Sequence, residues 1–189
     1  MIAMINTIAL EDSVILSQFK NEATKRAAFH QLVQKYQERV YWHIRKMVIV
    51  HDDADDLTQE VFVIIWNKLH TFQGDSQLFT WIYRIATNEC LNFLNKKKRK
   101  FFLPIHDVNK ELAEKIDENS DIEGDEIQIK LQKALLTLPE KQRLVFNMKY
   151  FEEMEYQEIS DILGTSVGAL KASYHHAVKK IEDYFKEND

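Results

Sequence analysis

From Glu22 onward the apolar residues fall three and four positions apart. That spacing gathers them on one face of an α-helix, which turns every ~3.6 residues. Phe29, Leu32, Val33, Tyr36, Val40, Tyr41, Ile44, Met47 and Val48 form the first series, long enough for two helices. The polar segment HDDADD at 51–56 interrupts it. Asp52 or Asp53 can cap a new helix there, and acidic residues in a first turn suit the positive end of the helix dipole. That helix carries Leu57, Val61, Phe62, Ile65, Trp66 and Leu69. A polar loop, HTFQGDSQ at 70–77, precedes a third strong series of Leu78, Trp81, Ile82, Ile85, Leu91 and Leu94, which runs into the basic stretch KKKRK at 96–100. Trp66 and Trp81 both fall on apolar stripes and are expected in the core. Residues 1–21 show no clear period and are expected to be a tail with at most one short helix.

The pattern changes at residue 101. Pro104 breaks any continuing helix, and FFLPIHDVNKELAEKIDENSDIEGDE at 101–126 is acidic and poor in large apolar residues after Ile105. Helical spacing resumes through Ile127, Ile129, Leu131, Leu135, Leu136 and Leu138, and restarts after Pro139 with Leu144, Val145, Met148 and Tyr150. The stretch Tyr156–Ile181 then reads as a helix-turn-helix. Ile159, Ile162 and Leu163 give the first helix one apolar face, Gly164 stands where a helix ends in a left-handed residue, and Thr165 and Ser166 offer caps for the second helix. Val167, Leu170, Tyr174, Ala177, Val178 and Ile181 point inward in that helix. Gly168, Ala172, His175, His176 and Lys179 then face outward, flanked by Lys171 and Lys180. Small residues allow close approach to base edges, and cations suit phosphate. An ordinary helical hairpin also carries outer charges, but the helix, glycine turn and helix match the spacing of the DNA-reading motif.

Composition bears out a helical reading and limits the chemistry. Only 4 Gly and 2 Pro occur among 189 residues, and 45% of the chain is apolar. The expected fold is all-α, with two small helical domains joined by an acidic linker and the helix-turn-helix in the C-terminal one. The boundaries fall at a tail of 1–21, a domain of 22–100, a linker of 101–126 and a domain of 127–187. The single cysteine, Cys90, excludes disulfides and cysteine-based zinc clusters and reads as a small buried residue. No apolar run approaches the ~18 residues of a membrane span, and the N-terminus lacks the basic start of a targeting segment, so the expected location is cytoplasmic. Adjacent His175 and His176 diverge by about 100° on a helix and cannot readily share one ion. His51 could touch a cation beside Asp52 and Asp53, but capping explains those aspartates more simply. No phosphate loop, zinc helix or nucleophile elbow is present. No catalytic residue, metal, cofactor or small-molecule substrate is expected.

The net charge of −5 is uneven. Residues 1–100 hold 14 Lys/Arg against 11 Asp/Glu, residues 101–126 hold 2 against 9, and residues 127–189 hold 9 against 10. Non-specific DNA affinity comes from cations displacing counterions, so this chain should bind DNA poorly alone and be carried there by a partner. The acidic segment reads first as a solvated tether; its alternative role is to mimic nucleic acid and shield basic faces.

Two blocks narrow the reading. DDLTQEVFVIIW at 55–66, with WIYRIATNECLNFLNKKKRK at 81–100, resembles the second conserved domain of bacterial sigma factors, and LPEKQRLVFNMKYFEEMEYQEISDILGTSVGALKASYHHAVKKI at 138–181 resembles the fourth. Their order, with a short linker and no third domain between them, matches the extracytoplasmic-function (ECF) group over roughly residues 22–186. The resemblance implies that Asp56, Gln59 and Glu60 dock on a coiled coil of the large core RNA polymerase subunit. Their spacing lets them share a helix side. It implies that the loop with Phe72, Gln73, Gly74, Asp75 and Ser76 captures an unstacked minus-ten base, which needs polar groups for its edge and a surface for its face. Asn88 and Asn92 would offer amides to bases, while Lys96, Lys97, Lys98, Arg99 and Lys100 would hold the backbone. Promoter DNA would thus be bound both as duplex and as melted strand.

The fourth domain would read the minus-thirty-five element through Ser166, Lys171, Ser173, His175, His176 and Lys179. Many members carry arginines about where Ser173 and His176 stand, so bidentate arginine–guanine contacts are absent there and the preferred promoter should differ. The resemblance also implies an anti-sigma factor as a partner, which no residue pattern here identifies. A conventional helix-turn-helix repressor would dimerise and bind duplex DNA unaided, yet the N-terminal half resembles neither a ligand pocket nor a dimerising coiled coil. A pure protein-interaction module would leave the basic outer face of the last helix unexplained.

Overall fold

The computed structural model describes residues 11–100 and 126–188, with side chains to Lys97 in the first stretch. The acidic segment therefore lies outside the described residues up to position 125. Helix α1, Asp12–Phe19, occupies the end of what the apolar spacing marks as a tail. It is short and weakly periodic, and it is placed by tertiary contacts. Ile15 and Phe19 are buried, and the Asp12 carboxylate accepts hydrogen bonds at 2.8 Å from Lys35 Nζ and the Tyr36 hydroxyl. Burial, then the Asp12 hydrogen bond and charge, push the Tyr36 phenol above its ordinary range.

Helix α2, Lys25–Val48, is one unbroken rod rather than two helices. Neither glycine nor proline interrupts residues 25–48, and Ala28, Leu32, Tyr36, Val40, Ile44 and Met47 keep a single buried stripe. It ends at Ile49, whose φ of 68° is a costly conformation for a β-branched residue. The Ile49 amide bonds Arg45 O at 2.9 Å, and its buried side chain holds the reversal that starts α3, His51–Lys68. Val50, not Asp52 or Asp53, occupies the cap position, and no side chain caps this end. Both aspartates lie inside the first turn, where only the dipole half of their expected role applies. A short 3₁₀ turn, Leu69–Thr71, and a loop lead to α4, Leu78–Lys100.

In the C-terminal half, α5 spans Glu126–Leu136 and α6 spans Glu140–Phe146, with a wide π-type turn at Asn147–Phe151. Helix α7, Tyr156–Leu163, and α8, Val167–Glu187, follow. The turn between them has the anticipated chemistry. Gly164 takes φ 62° and Ser166 accepts the Ala169 amide at 3.4 Å, whereas the Thr165 hydroxyl bonds Leu163 O instead.

One apolar cluster runs through both halves. Leu144, Val145, Met148, Met154, Ile159, Ile162 and Leu170 join the buried residues of α1–α4. A smaller cluster of Ala134, Leu135, Leu138, Phe146, Ala177 and Ile181 belongs to the C-terminal half alone. The joint is also polar. Arg143, 2% exposed, donates from Nη2 to Met47 O at 3.2 Å, and Asn147 Nδ2 donates to Lys46 O at 3.3 Å. These are last-turn carbonyls of α2, which lack partners within their own helix. Arg84 Nε on α4 donates to Asp161 O on α7 at 2.7 Å.

Candidate nucleic-acid interface

Three exposed surfaces carry the residues singled out by the sequence. On α3, Leu57, Val61 and Ile65 are buried, which turns Asp56, Gln59 and Glu60 outward together. Val63 continues the same side, seven positions after Asp56, and is 60% exposed. An exposed valine beside an acidic ridge was not anticipated, although its place off the stripe of Leu57, Val61 and Ile65 marks it as outward.

The second surface comprises the 70–77 loop and α4. Phe72 sets its ring edge-on to Trp81, with centroids 5.7 Å apart, and Gly74 has φ +86°, where a side chain would be strained. A cavity of about 360 Å³ opens between this loop and α1, with Phe72, Gln73 and Gly74 on one side and Phe19, Lys20 and Lys25 on the other. Asp75 is exposed and does not line it. Asn88, Asn92 and Lys96 stand exposed at four-residue intervals on α4, one turn apart. Lys97 is different: its ammonium lies 3.3 Å from Asp53 and over the Phe93 ring. Arg99 belongs to α4, beyond the last described side chain.

The third surface is the outer face of α8. Lys171, His175, His176 and Lys179 are exposed, Ser166 caps the helix, and Ser173 is half-buried. Tyr174 stacks on Phe146 at 5.6 Å and fixes the roll of α8. Lys171 lies over the Tyr156 ring at 5.7 Å. The His175 and His176 rings are 6.0 Å apart and tilted by 53°. Among the described residues no group of three or more His, Cys, Asp or Glu is placed to hold a metal, and no helix is long and apolar enough to cross a membrane. Cys90 is buried, and that burial pushes its thiol far above the usual range.

Sequence reasoning missed the buried polar centre at the joint. His43 Nδ1 lies 3.0 Å from Glu152 Oε1, and its Nε2 lies 2.9 Å from Thr87 Oγ1. The His43 ring packs against Tyr83, with centroids 4.8 Å apart. Burial pushes the Glu152 carboxyl up, but the His43 hydrogen bond and charge, with the Lys46 charge, prevail and hold it below its ordinary value. Burial lowers Lys46, whose ammonium lies over the Phe151 ring. Position 43 falls between Val40 and Met47 on the inward stripe of α2, the signal that could have found it.

Comparison with known proteins bears on the family of the chain. The family description "Sigma-70 region 2" matches residues 32–100, and "Sigma-70, region 4" matches residues 128–181. The RNA polymerase sigma-H factor of Pseudomonas aeruginosa is 32% identical over 167 residues, covering 83% of this chain and 86% of that protein. The ECF RNA polymerase sigma factor SigW of Bacillus subtilis is 27% identical over 168 residues, covering 85% and 90%. Among solved structures, CnrH in complex with the cytosolic domain of CnrY shares the fold, with a TM-score of 0.67 at 23% identity, covering 94% of this chain and 99% of that one. With both regions present in order and relatives aligned over most of their length, the chain belongs to the sigma-70 family of RNA polymerase sigma factors, in its extracytoplasmic-function group.

Proposed function

We propose that this sigma factor joins core RNA polymerase through the α3 ridge of Asp56, Gln59, Glu60 and Val63, and then grips a promoter at two places. The 70–77 loop and the α4 stripe take the minus-ten element and its melted strand. The outer face of α8 takes the minus-thirty-five element. The observation that carries the reading is that Asp56, Gln59 and Glu60 on α3, Asn88, Asn92 and Lys96 on α4, and Lys171, His175, His176 and Lys179 on α8 are exposed on helices whose opposite sides are buried. A rigid helix presents base-reading groups at fixed spacing, and amides at one-turn intervals reach successive bases. The α8 face holds few cations, so polymerase must supply the local concentration that phosphate attraction alone does not. Ser173, half-buried, contributes at the edge of the reading face, and His175 and His176 act as the outward groups. Support for an anti-sigma partner comes from the sigma factor RpoE of Bartonella quintana, whose solved structure is a complex with the anti-sigma factor NepR.

Run-off transcription with sigma-free core polymerase and a pool of genomic fragments tests this function. The expected result is a discrete set of transcripts that core alone does not make. Identical transcripts with and without the protein would overturn the proposal.

A further inference from the structure

Residues 12–25 precede the matched region 2, which begins at residue 32, yet they supply one wall of the cavity beside the 70–77 loop. The cavity's volume of about 360 Å³ lies at the small-ligand end of binding sites, which run from ~300 Å³ upward. Its lining is graded. Phe19 and Leu69 are buried at its floor, Leu16 and Phe72 are half-buried, and Lys20 and Gln73 are exposed at its mouth. The two lysines differ in their surroundings. Lys25 pairs with Glu22 at 2.9 Å and lies over the Phe19 and Trp66 rings, so it braces the wall. Lys20 is exposed at the end of α1. The rim also carries His70 and the Glu22 carboxylate, the latter paired with Lys25. An apolar interior with the Gln73 amide and the Lys20 cation at its mouth matches the needs of one nucleotide: a surface for the base face, a partner for its edge and a charge for its phosphate.

We propose that α1 and the bend after it complete a nucleotide pocket, in which an unstacked base of single-stranded DNA rests against Leu16 and Phe72, with Gln73 on its edge and Lys20 on the adjoining phosphate. This rests on the reading of the 70–77 loop as the base-capturing element. It adds that a helix outside the matched region takes part in that capture, and that Asp12, by pinning α1 to Lys35 and Tyr36, positions the wall.

The test uses full-length protein with core polymerase on promoter templates carrying a pre-opened bubble. 2-Aminopurine is placed at each non-template position in turn, and affinity is measured across a salt series. Lys20→Ala should weaken binding alike for all bubble sequences and lower the salt slope by about 0.7, the value for one phosphate contact on a single strand. Lys20→Arg should restore the slope, and the thermal melt should not move. The 2-aminopurine signal should stay at the same position in Lys20→Ala and vanish in Phe72→Ala. An unchanged salt slope in Lys20→Ala, with the signal still lost in Phe72→Ala, would overturn the role of α1 while leaving base capture by the loop in place. No unstacked position in the unaltered protein would overturn both.

Discussion

Truncating Glu152 is the most direct probe of the joint between the two halves. The His43 side chain has no solvent exposure and the Glu152 side chain has 8%, and they meet at 3.0 Å. Removing one member of a fully buried charge pair costs about 3–5 kcal/mol. Here His43 keeps its Thr87 hydrogen bond, so the loss is closer to that of stranding one buried polar group, about 1–3 kcal/mol. For a chain of this size each kcal/mol moves the melting temperature by about 2–4 °C. Glu152→Ala should therefore melt roughly 2–12 °C lower at pH 7. The pH dependence carries a definite sign. The folded protein holds the Glu152 carboxyl below its ordinary value, so its contribution is fully present above the unfolded value of about 4.3 and is lost as pH falls through the folded one. Glu152→Gln keeps the shape without the charge, and its deficit against the unaltered protein should shrink only below about pH 4.3. Thermal or urea melts of the three proteins at intervals between about pH 3.5 and pH 8 would measure this. The reasoning fails if Glu152→Ala melts with the unaltered protein at pH 7, or if the Glu152→Gln deficit is the same at both ends of the series.

Other expectations concern neighbouring surfaces. Arg143→Ala should destabilise by about 2–4 kcal/mol, whereas Arg143→Met, which fills the same space without a buried charge, should cost far less or stabilise; urea denaturation separates the two. Charge reversal by Asp56→Lys with Glu60→Lys should weaken binding to core polymerase, measured by native gel shift, without lowering the melting temperature, since both side chains are exposed. His176→Arg should favour guanine at one minus-thirty-five position by about 1–3 kcal/mol, the worth of a bidentate pair; selection from a randomised promoter library would show it, and an unchanged preference would remove His176 from the reading face.

The helix-turn-helix was the most legible part of the chain because its determinants are local. Gly164 and Ser166 specify a left-handed stop and a cap within three residues, and the stripes of α7 and α8 follow from spacing alone. Tertiary placement was less legible. Helix α1 exists through Asp12 reaching 23 and 24 positions along the chain, which no window over 1–21 reveals. The start of α3 shows the limit of capping chemistry: the turn at Ile49 brings the chain into helix one residue before the aspartates. Apolar periodicity identified Leu144, Met148 and Ile159 as inward-facing, but inward is defined only against a partner, and that partner is the other half of the molecule. The candidate site divides the same way. Asn88, Asn92 and the α8 face were readable from helix phase, while the α1 wall of the cavity and the His43 centre depend on long-range packing.

The shared core also sets a mechanical condition on initiation. A compact chain of this length has a radius of gyration of about 16 Å. Elements centred near minus ten and minus thirty-five are about 25 base pairs apart, which is roughly 85 Å along straight duplex at ~3.4 Å per pair. On the proposed two-element grip, two domains packed through Leu144, Met148 and Ile159 could not hold both elements at once, so the joint would have to open as the promoter is engaged. Polymerase affinity measured on the free protein would then contain the cost of parting the halves: if only ~1% of molecules stood open, the apparent affinity would be about 100-fold weaker than that of the open form. Under that proposal the joint would act as a threshold that polymerase and promoter cross together.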